Sequence, residues 1–253
     1  MSIRIVVHAY AKQLPQYAVF LRAQLSSLIK YKPATVMCYV SVCCNGQDER
    51  VMRVIQDFAP LMGRSLHVLL LPEPELFRRS IGRNRIALSS KEEICWLADA
   101  DHLFGPGCLA SLWNQWKMIE GPVIAWPKSL LIQSHHVLGD DFVQDNLDTT
   151  GLIEMSDIGI AEFCNQEPSP MFEEKKYHSA IGGVQIVSGS FMREHGYLRD
   201  SPKWQQPRTD GKPFGDFRDD VKFRSFCLSK MKGVALDIPH LYRLRHTAVT
   251  YKG

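Results

Sequence analysis

Ile94-Cys95-Trp96-Leu97-Ala98-Asp99-Ala100-Asp101-His102 is the stretch on which the fold turns. A short apolar run bounded by polar residues reads as a buried strand, here Glu93 to Ala98, and two carboxylates follow it with one residue between them. The Asp-x-Asp spacing alone says little, because a chain this rich in aspartate carries about one such triplet by chance. Its position says more. Charge is costly to bury, so two acids at the mouth of a buried strand, ahead of the Gly105-Pro106-Gly107 turn, suit a hard cation carrying a diphosphate. Solvated strand-end acids are the plainer alternative.

Upstream, the pattern alternates. Ile3 to His8 reads as a first strand, and Leu14, Tyr17, Ala18, Leu21, Leu25 and Leu28 recur at the spacing of one helix face. Val36 to Cys44 is a second strand closed by Asn45-Gly46. Val51, Val54, Ile55, Phe58 and Leu61 mark a second helix, and Leu66 to Leu71 a third strand stopped by Pro72 and Pro74. A helix then carries Arg83, Asn84 and Arg85 near its start. Strand alternating with helix implies a mostly parallel sheet with helices on its faces, and such sheets bind ligands at the carboxyl ends of their strands.

Downstream, a helix is predicted over 106–119, strands over 123–126 and 130–132, order again from Ile181 to Val187, a helix from Asp219 or Asp220 to Lys232, and a final strand from Val234 to Ile238. Between them, residues 134–180 form an insertion read as mostly loop. Its part from Ser134 to Glu174 holds ten acids and no lysine or arginine, which leaves the rest of the chain positive by roughly thirteen charges although the net is only +3. A basic remainder fits a polyanionic ligand such as a nucleoside diphosphate, and equally a solvated surface.

The 253 residues, 45% hydrophobic and 23% charged, fit one globular domain with a large core. It divides into residues 1–133, the acidic insertion 134–180, and residues 181–253. Seven cysteines, an odd number partly inside apolar runs, point to reduced thiols and a cytoplasmic setting. No stretch reads as a signal peptide or an integral membrane span.

The order of Gly82-Arg83-Asn84, Asp99-Ala100-Asp101, Gly182-Gly183 and Asp219-Asp220 resembles glycosyltransferases of the GT-A fold, a Rossmann-like α/β architecture. Family 2 is the nearest group. Gly182-Gly183-Val184, Phe191 to Gly196, Gly215 to Asp220 and Arg245-His246 also resemble the C-terminal region of the β-1,4-galactosyltransferases. One departure is Cys44-Asn45-Gly46-Gln47-Asp48, which stands where family 2 carries an Asp-Asp-Gly-Ser type turn.

The resemblance implies a metal-dependent, inverting transfer of sugar from a nucleotide-diphosphate sugar, a UDP-sugar first, to an acceptor hydroxyl. Asp101 and Asp99 would hold the ion, with Asp99 also near the donor, and His246 would complete the site with His240 in reserve. Imidazole with carboxylates favours Mn²⁺ over Mg²⁺. Asp220 is expected as the base with Asp219 positioning the acceptor, Asp216 being an alternative, although adjacent acids at a helix start also serve as simple caps. Arg83, Arg85, His8 and Gly183 are assigned to the donor, since arginine forks suit phosphate oxygens and glycine permits close backbone approach. Trp204, Trp126 and Tyr197 could stack on an acceptor or fill the core. His135-His136 are discounted because neighbouring side chains diverge. The acceptor is left as saccharide first, with modified nucleic acid or protein behind it. Rival readings are a nucleotidyltransferase, disfavoured by the glycine-free His8-Ala9-Tyr10-Ala11-Lys12, and a non-catalytic sugar- or nucleotide-binding module.

Overall fold

A computed structural model describes residues 2–134, 139–214 and 218–245. The chain begins β1 (Ser2–His8), α1 (Gln16–Tyr31), β2 (Met37–Cys44), α2 (Glu49–Met62), β3 (Leu66–Leu70), α3 (Glu73–Leu76), α4 (Arg79–Ser89) and β4 (Ile94–Leu97). It continues with β5 (His102–Phe104), α5 (Cys108–Trp116), β6 (Val123–Pro127), β7 (Ser129–Gln133), α6 (Gly139–Asn146) and β8 (Phe172–Lys176). The last third holds β9 (Gln185–Ser188), α7 (Gly189–His195), α8 (Pro202–Gln205), α9 (Asp219–Leu228), β10 (Lys232–Leu236) and β11 (Leu241–Arg243).

Seven strands form the main sheet in the order β10-β6-β9-β4-β1-β2-β3. Neighbours from β3 to β4 are parallel, β10 is parallel to β6, and β9 runs antiparallel to β4 and β6. The expected helix-flanked, mostly parallel sheet is therefore what forms. Its cause is visible in β1, where Ile3, Ile5, Val6 and Val7 are all fully buried, as a strand covered on both faces requires. On α2, Val51, Val54, Ile55 and Phe58 face the core, and the Asp48 carboxylate caps the helix by accepting the Val51 N–H at 3.2 Å. From β1 the chain steps to β2 and β3 on one side, whereas β4 lies on the other. That reversal opens a crevice at the carboxyl ends of β1 and β4.

Three expectations differ from the structure. The tail after the last predicted strand carries β11, which pairs with β5 and β7 in a four-stranded sheet ordered β5-β11-β7-β8; three residues are too few to show a period. The acidic insertion is more than loop. It contributes α6, a 3-10 turn over Met155–Ile158 and edge strand β8, and it buries Phe142, Ile153, Met155, Ile158, Ile160 and Phe172 in the main core. These apolar residues insert singly rather than as a stripe, so no periodicity announced them. Gly182-Gly183-Val184, which the resemblance to the β-1,4-galactosyltransferases implies as a strand, forms a 3-10 turn before β9, with Gly182 at φ +56°.

Cys38, Cys43, Cys44, Cys95, Cys108 and Cys227 are buried free thiols, and Cys164 is an exposed one. No helix among the described residues is long and apolar enough to cross a membrane.

Candidate functional site

At the crevice, a cavity of about 190 Å³ is lined by His8 from the end of β1, by Asp99 and Asp101 beyond β4, by Arg79 of α4 and Arg243 of β11, and by Tyr17, Phe20 and Phe214. The Asp99–Asp101 turn is held from several sides. Gln24 of α1, fully buried, donates from Nε2 to the carbonyls of Asp99 and His102, each at 2.9 Å. The Asp99 N–H donates to His102 Nδ1 at 3.3 Å, and the Leu244 N–H donates to the Asp101 carbonyl at 2.9 Å. Trp96 donates from Nε1 to the Gly183 carbonyl at 3.0 Å, which ties the Gly-Gly turn to β4. A Cβ on Gly183 would overlap the Asp99 backbone nitrogen and come within 2.7 Å of Asp99 Cγ, so only glycine allows this approach. Asp220, at the start of α9, accepts the Gly182 N–H on Oδ2 at 2.8 Å and the Gln185 Nε2 on its carbonyl at 2.8 Å. Gly-Gly, Asp-x-Asp and Asp220 thus meet at one place although up to about 120 residues separate them in sequence.

Charge in the cleft is paired. Arg79 Nη1 lies 3.2 Å from Asp99 Oδ1 and Arg83 Nη2 lies 3.8 Å from the same oxygen. Burial works against the charge of Arg79, but Asp99 and Asp219 outweigh it and raise its pKa. Arg243 donates from Nε to Asp101 Oδ2 at 2.8 Å, and Asp101 raises the Arg243 pKa in turn. His8 is 4% exposed, neither of its ring nitrogens has a hydrogen-bond partner among the described residues, and burial, with Arg83 and Arg79 nearby, holds its pKa well below 6.5. A neutral imidazole with idle nitrogens at a cavity wall can serve a polar ligand. Gly82 makes room for it, since a Cβ there would come within 2.5 Å of His8 Nε2.

No family model matches this sequence, and comparison with curated proteins found no match. Solved structures do match. TarS of S. aureus, as its 1–349 fragment in complex with UDP, superposes with a TM-score of 0.52 at 12% identity, covering 97% of this chain and 61% of that one. GalNAc-T7 with UDP, GalNAc and Mn²⁺ superposes with a TM-score of 0.56 at 11% identity, covering 98% of this chain and 44% of that one. The chain has the GT-A fold. It spans less than two thirds of the length of the first neighbour and less than half of the second.

Within this GT-A framework the expected residues fall into distinct groups. Asp99, Asp101, His8, Gly183 and Asp220 come together. Arg83 lies beneath the cavity, 1% exposed, and donates from Nη1 to the Tyr197 hydroxyl at 3.0 Å. Arg85 is turned away, paired with Glu75 at 2.7 Å, because two residues along a helix rotate a side chain to the opposite face. Asp219 is turned inward at 3% exposure, accepting from the Tyr197 hydroxyl at 3.4 Å, and does not face an acceptor. Tyr197 and Trp204 are core residues, fully and nearly fully buried, and cannot stack on an acceptor; Trp126 is half-buried. His240 makes its contact elsewhere, with its Nδ1 2.9 Å from the Pro106 carbonyl. His246, Asp216 and the pair His135-His136 lie outside the described residues. Three contributors escaped sequence reasoning. Arg79 could have been found from its spacing of four to Arg83, whereas Arg243 and Gln24 carried no local signal.

A larger cavity of about 480 Å³ lies between α1, α2 and Asn146 to Asp148. It holds none of the cleft's acids. Its Arg22 is occupied by Asp57 at 2.7 Å and by the Gly151 carbonyl at 2.6 Å, and its Lys12 by Glu73 at 3.2 Å, so volume here does not mark the chemistry.

For a divalent ion, the described residues offer two hard carboxylates at the cavity wall and no convergent group of three His, Cys, Asp or Glu. Carboxylate oxygens suit Mg²⁺ and Mn²⁺, with water and ligand phosphate completing the shell. Asp99 and Asp101 therefore fit such an ion as a partial donor set.

Proposed function

We propose that the chain is a nucleotide-sugar glycosyltransferase that moves a sugar from a UDP-sugar to an acceptor hydroxyl with inversion. The carrying observation is the convergence of Asp99 and Asp101 with Gly182-Gly183 and Asp220 at the carboxyl ends of β1 and β4. The GT-A fold and the UDP and Mn²⁺ in the neighbours' structures support it. Asp101 and Asp99 would hold Mn²⁺ or Mg²⁺, with His246 as the third ligand carried by the resemblance. When bound, the ion supplies Lewis-acid stabilisation of charge on the departing diphosphate.

The protein's own residues supply the remainder. Arg79, with Arg83 beneath it, adds fixed positive charge where the leaving group gains negative charge. Gly183 lets the Gly-Gly turn close directly on Asp99 and so fixes where that carboxylate stands. Asp220, half-buried and oriented by the Gly182 N–H, takes the proton of the acceptor hydroxyl as that oxygen attacks from the face opposite the diphosphate. Residues 1–133 form the donor half on this reading, 134–180 the insertion and 181–253 the acceptor side. The acceptor is a saccharide in first place, with modified nucleic acid or protein behind it.

Thermal shift with UDP and UDP-sugars, each with and without Mn²⁺, tests the donor site. A native-state ligand at a hundredfold excess over its Kd stabilises by about 2.7 kcal/mol, so a Mn²⁺-dependent rise is expected for the wild-type chain and its loss for Asp101→Asn. No shift in the wild type with any of these ligands sinks the proposal.

A further inference from the structure

Asp101 is the more enclosed of the two cavity carboxylates, with its side chain 5% exposed against 28% for Asp99. An acid so enclosed needs a counter-charge to remain ionised, and Arg243 provides it. The two partners are unequal in freedom. Asp101 is fixed through its backbone by the Leu244 N–H, and its turn by Gln24, whereas the Arg243 side chain is 36% exposed and stands at the cavity wall. The guanidinium can leave with little desolvation cost; the carboxylate cannot follow it. Any cation that binds Asp101 Oδ2 must compete with Arg243 Nε for the same oxygen. Once displaced, a planar guanidinium beside a diphosphate site has a natural partner in the phosphate oxygens.

We propose that Arg243 is a resident counter-ion of Asp101 that yields this carboxylate to the divalent ion and turns its freed guanidinium onto a phosphate of the donor. The exchange makes ion and nucleotide binding cooperative, because the nucleotide rewards the displaced arginine. It rests on the metal-and-nucleotide reading above.

The test measures Mn²⁺ bound to the full chain by loss of the free-ion EPR signal, with and without UDP, for the wild type and for Arg243→Met. Without UDP the variant is expected to bind Mn²⁺ about tenfold more tightly, its competitor being gone, while UDP at saturating Mn²⁺ binds about tenfold more weakly. Equal Mn²⁺ affinity in the two chains, with binding abolished in Asp101→Asn, overturns the role of Arg243 and leaves the metal site standing. Absence of Mn²⁺ binding in every chain, UDP included, overturns the metal reading and this proposal with it. A measurement on the unaltered protein covers the case in which Arg243→Met does not fold. The Arg243 Nε–H resonance is expected to shift when Mg²⁺ and UDP are added together, and an unmoved resonance overturns the exchange.

Discussion

Asp219 and Asp220 are adjacent acids with opposite fates. The first backbone N–H groups of a helix favour negative charge, and α9 begins with both residues. Asp219 is drawn inward to Tyr197, within the field of Arg79 and Arg83, whereas Asp220 keeps partial exposure and an orienting bond from the Gly182 N–H. The choice of Asp220 over Asp219 as base therefore has a measurable consequence. Asp220→Asn keeps the size and the acceptor oxygen for Gly182 but removes basicity, so turnover should fall by about 10²- to 10⁴-fold while the Kd for UDP-sugar stays within a few-fold. Steady-state kinetics with parallel calorimetry would show this. A variant retaining near-full turnover would remove Asp220 from the mechanism and pass the role of base to Asp216.

Among the elements, the Asp99–Asp101 turn is positioned by a helix that is remote in sequence. Gln24 projects from the middle of α1 and binds two carbonyls of the Asp99–His102 turn, with Ser27 Oγ accepting the Phe104 N–H at 3.1 Å one turn further along. Replacing Gln24 with Leu removes its bonds to both carbonyls, of which that of Asp99 keeps the His102 N–H at 3.2 Å, at a cost of about 1–3 kcal/mol. Because the carbonyls belong to the turn that carries both acids, the same change should weaken Mn²⁺-dependent UDP binding. Denaturant melts together with UDP titration would separate the effects. Lost stability with unaltered UDP affinity would mean that the helix supports the fold and not the site geometry. α4 illustrates how element geometry sorts like residues: Arg79 and Arg83 share the face toward Asp99, and Arg85 falls on the other.

Across the whole molecule, buried titratable groups set the response to pH. Burial holds His8 and His102 below their ordinary value of 6.5, so the unfolded chain accepts protons that the native state refuses. Stability from these groups is complete above pH 6.5 and declines as pH falls toward their lowered native values, with a slope of up to about 1.4 kcal/mol per pH unit for each histidine. Glu92 acts in a separate, lower window. Burial opposes its charge, yet hydrogen bonds from Arg4 and Ser90 bring its pKa down to about 2 from 4.5, so its contribution is lost as pH falls from 4.5 toward 2. The Tm should accordingly decline below pH 6.5, and His8→Gln should flatten the upper part of that decline. A Tm unchanged between pH 7 and 5 would contradict the burial of these imidazoles.

Local pattern was enough for the sheet and for the edge that carries the two acids. Strand and helix periods from Ile3 to Ala98 are local properties of side-chain spacing, and the apolar run ending in Asp99-Ala100-Asp101 marked both the strand and its mouth. Single apolar residues in the acidic insertion and the three-residue β11 left no period to read, and the reach of Gln24 and Arg243 to the turn left none either. Which like-charged neighbours face the cavity was set by the folded chain. It selected Arg79 over Arg85, turned Asp219 inward and set Arg243 against Asp101, because these outcomes depend on contacts between segments up to about 140 residues apart, which no local pattern encodes.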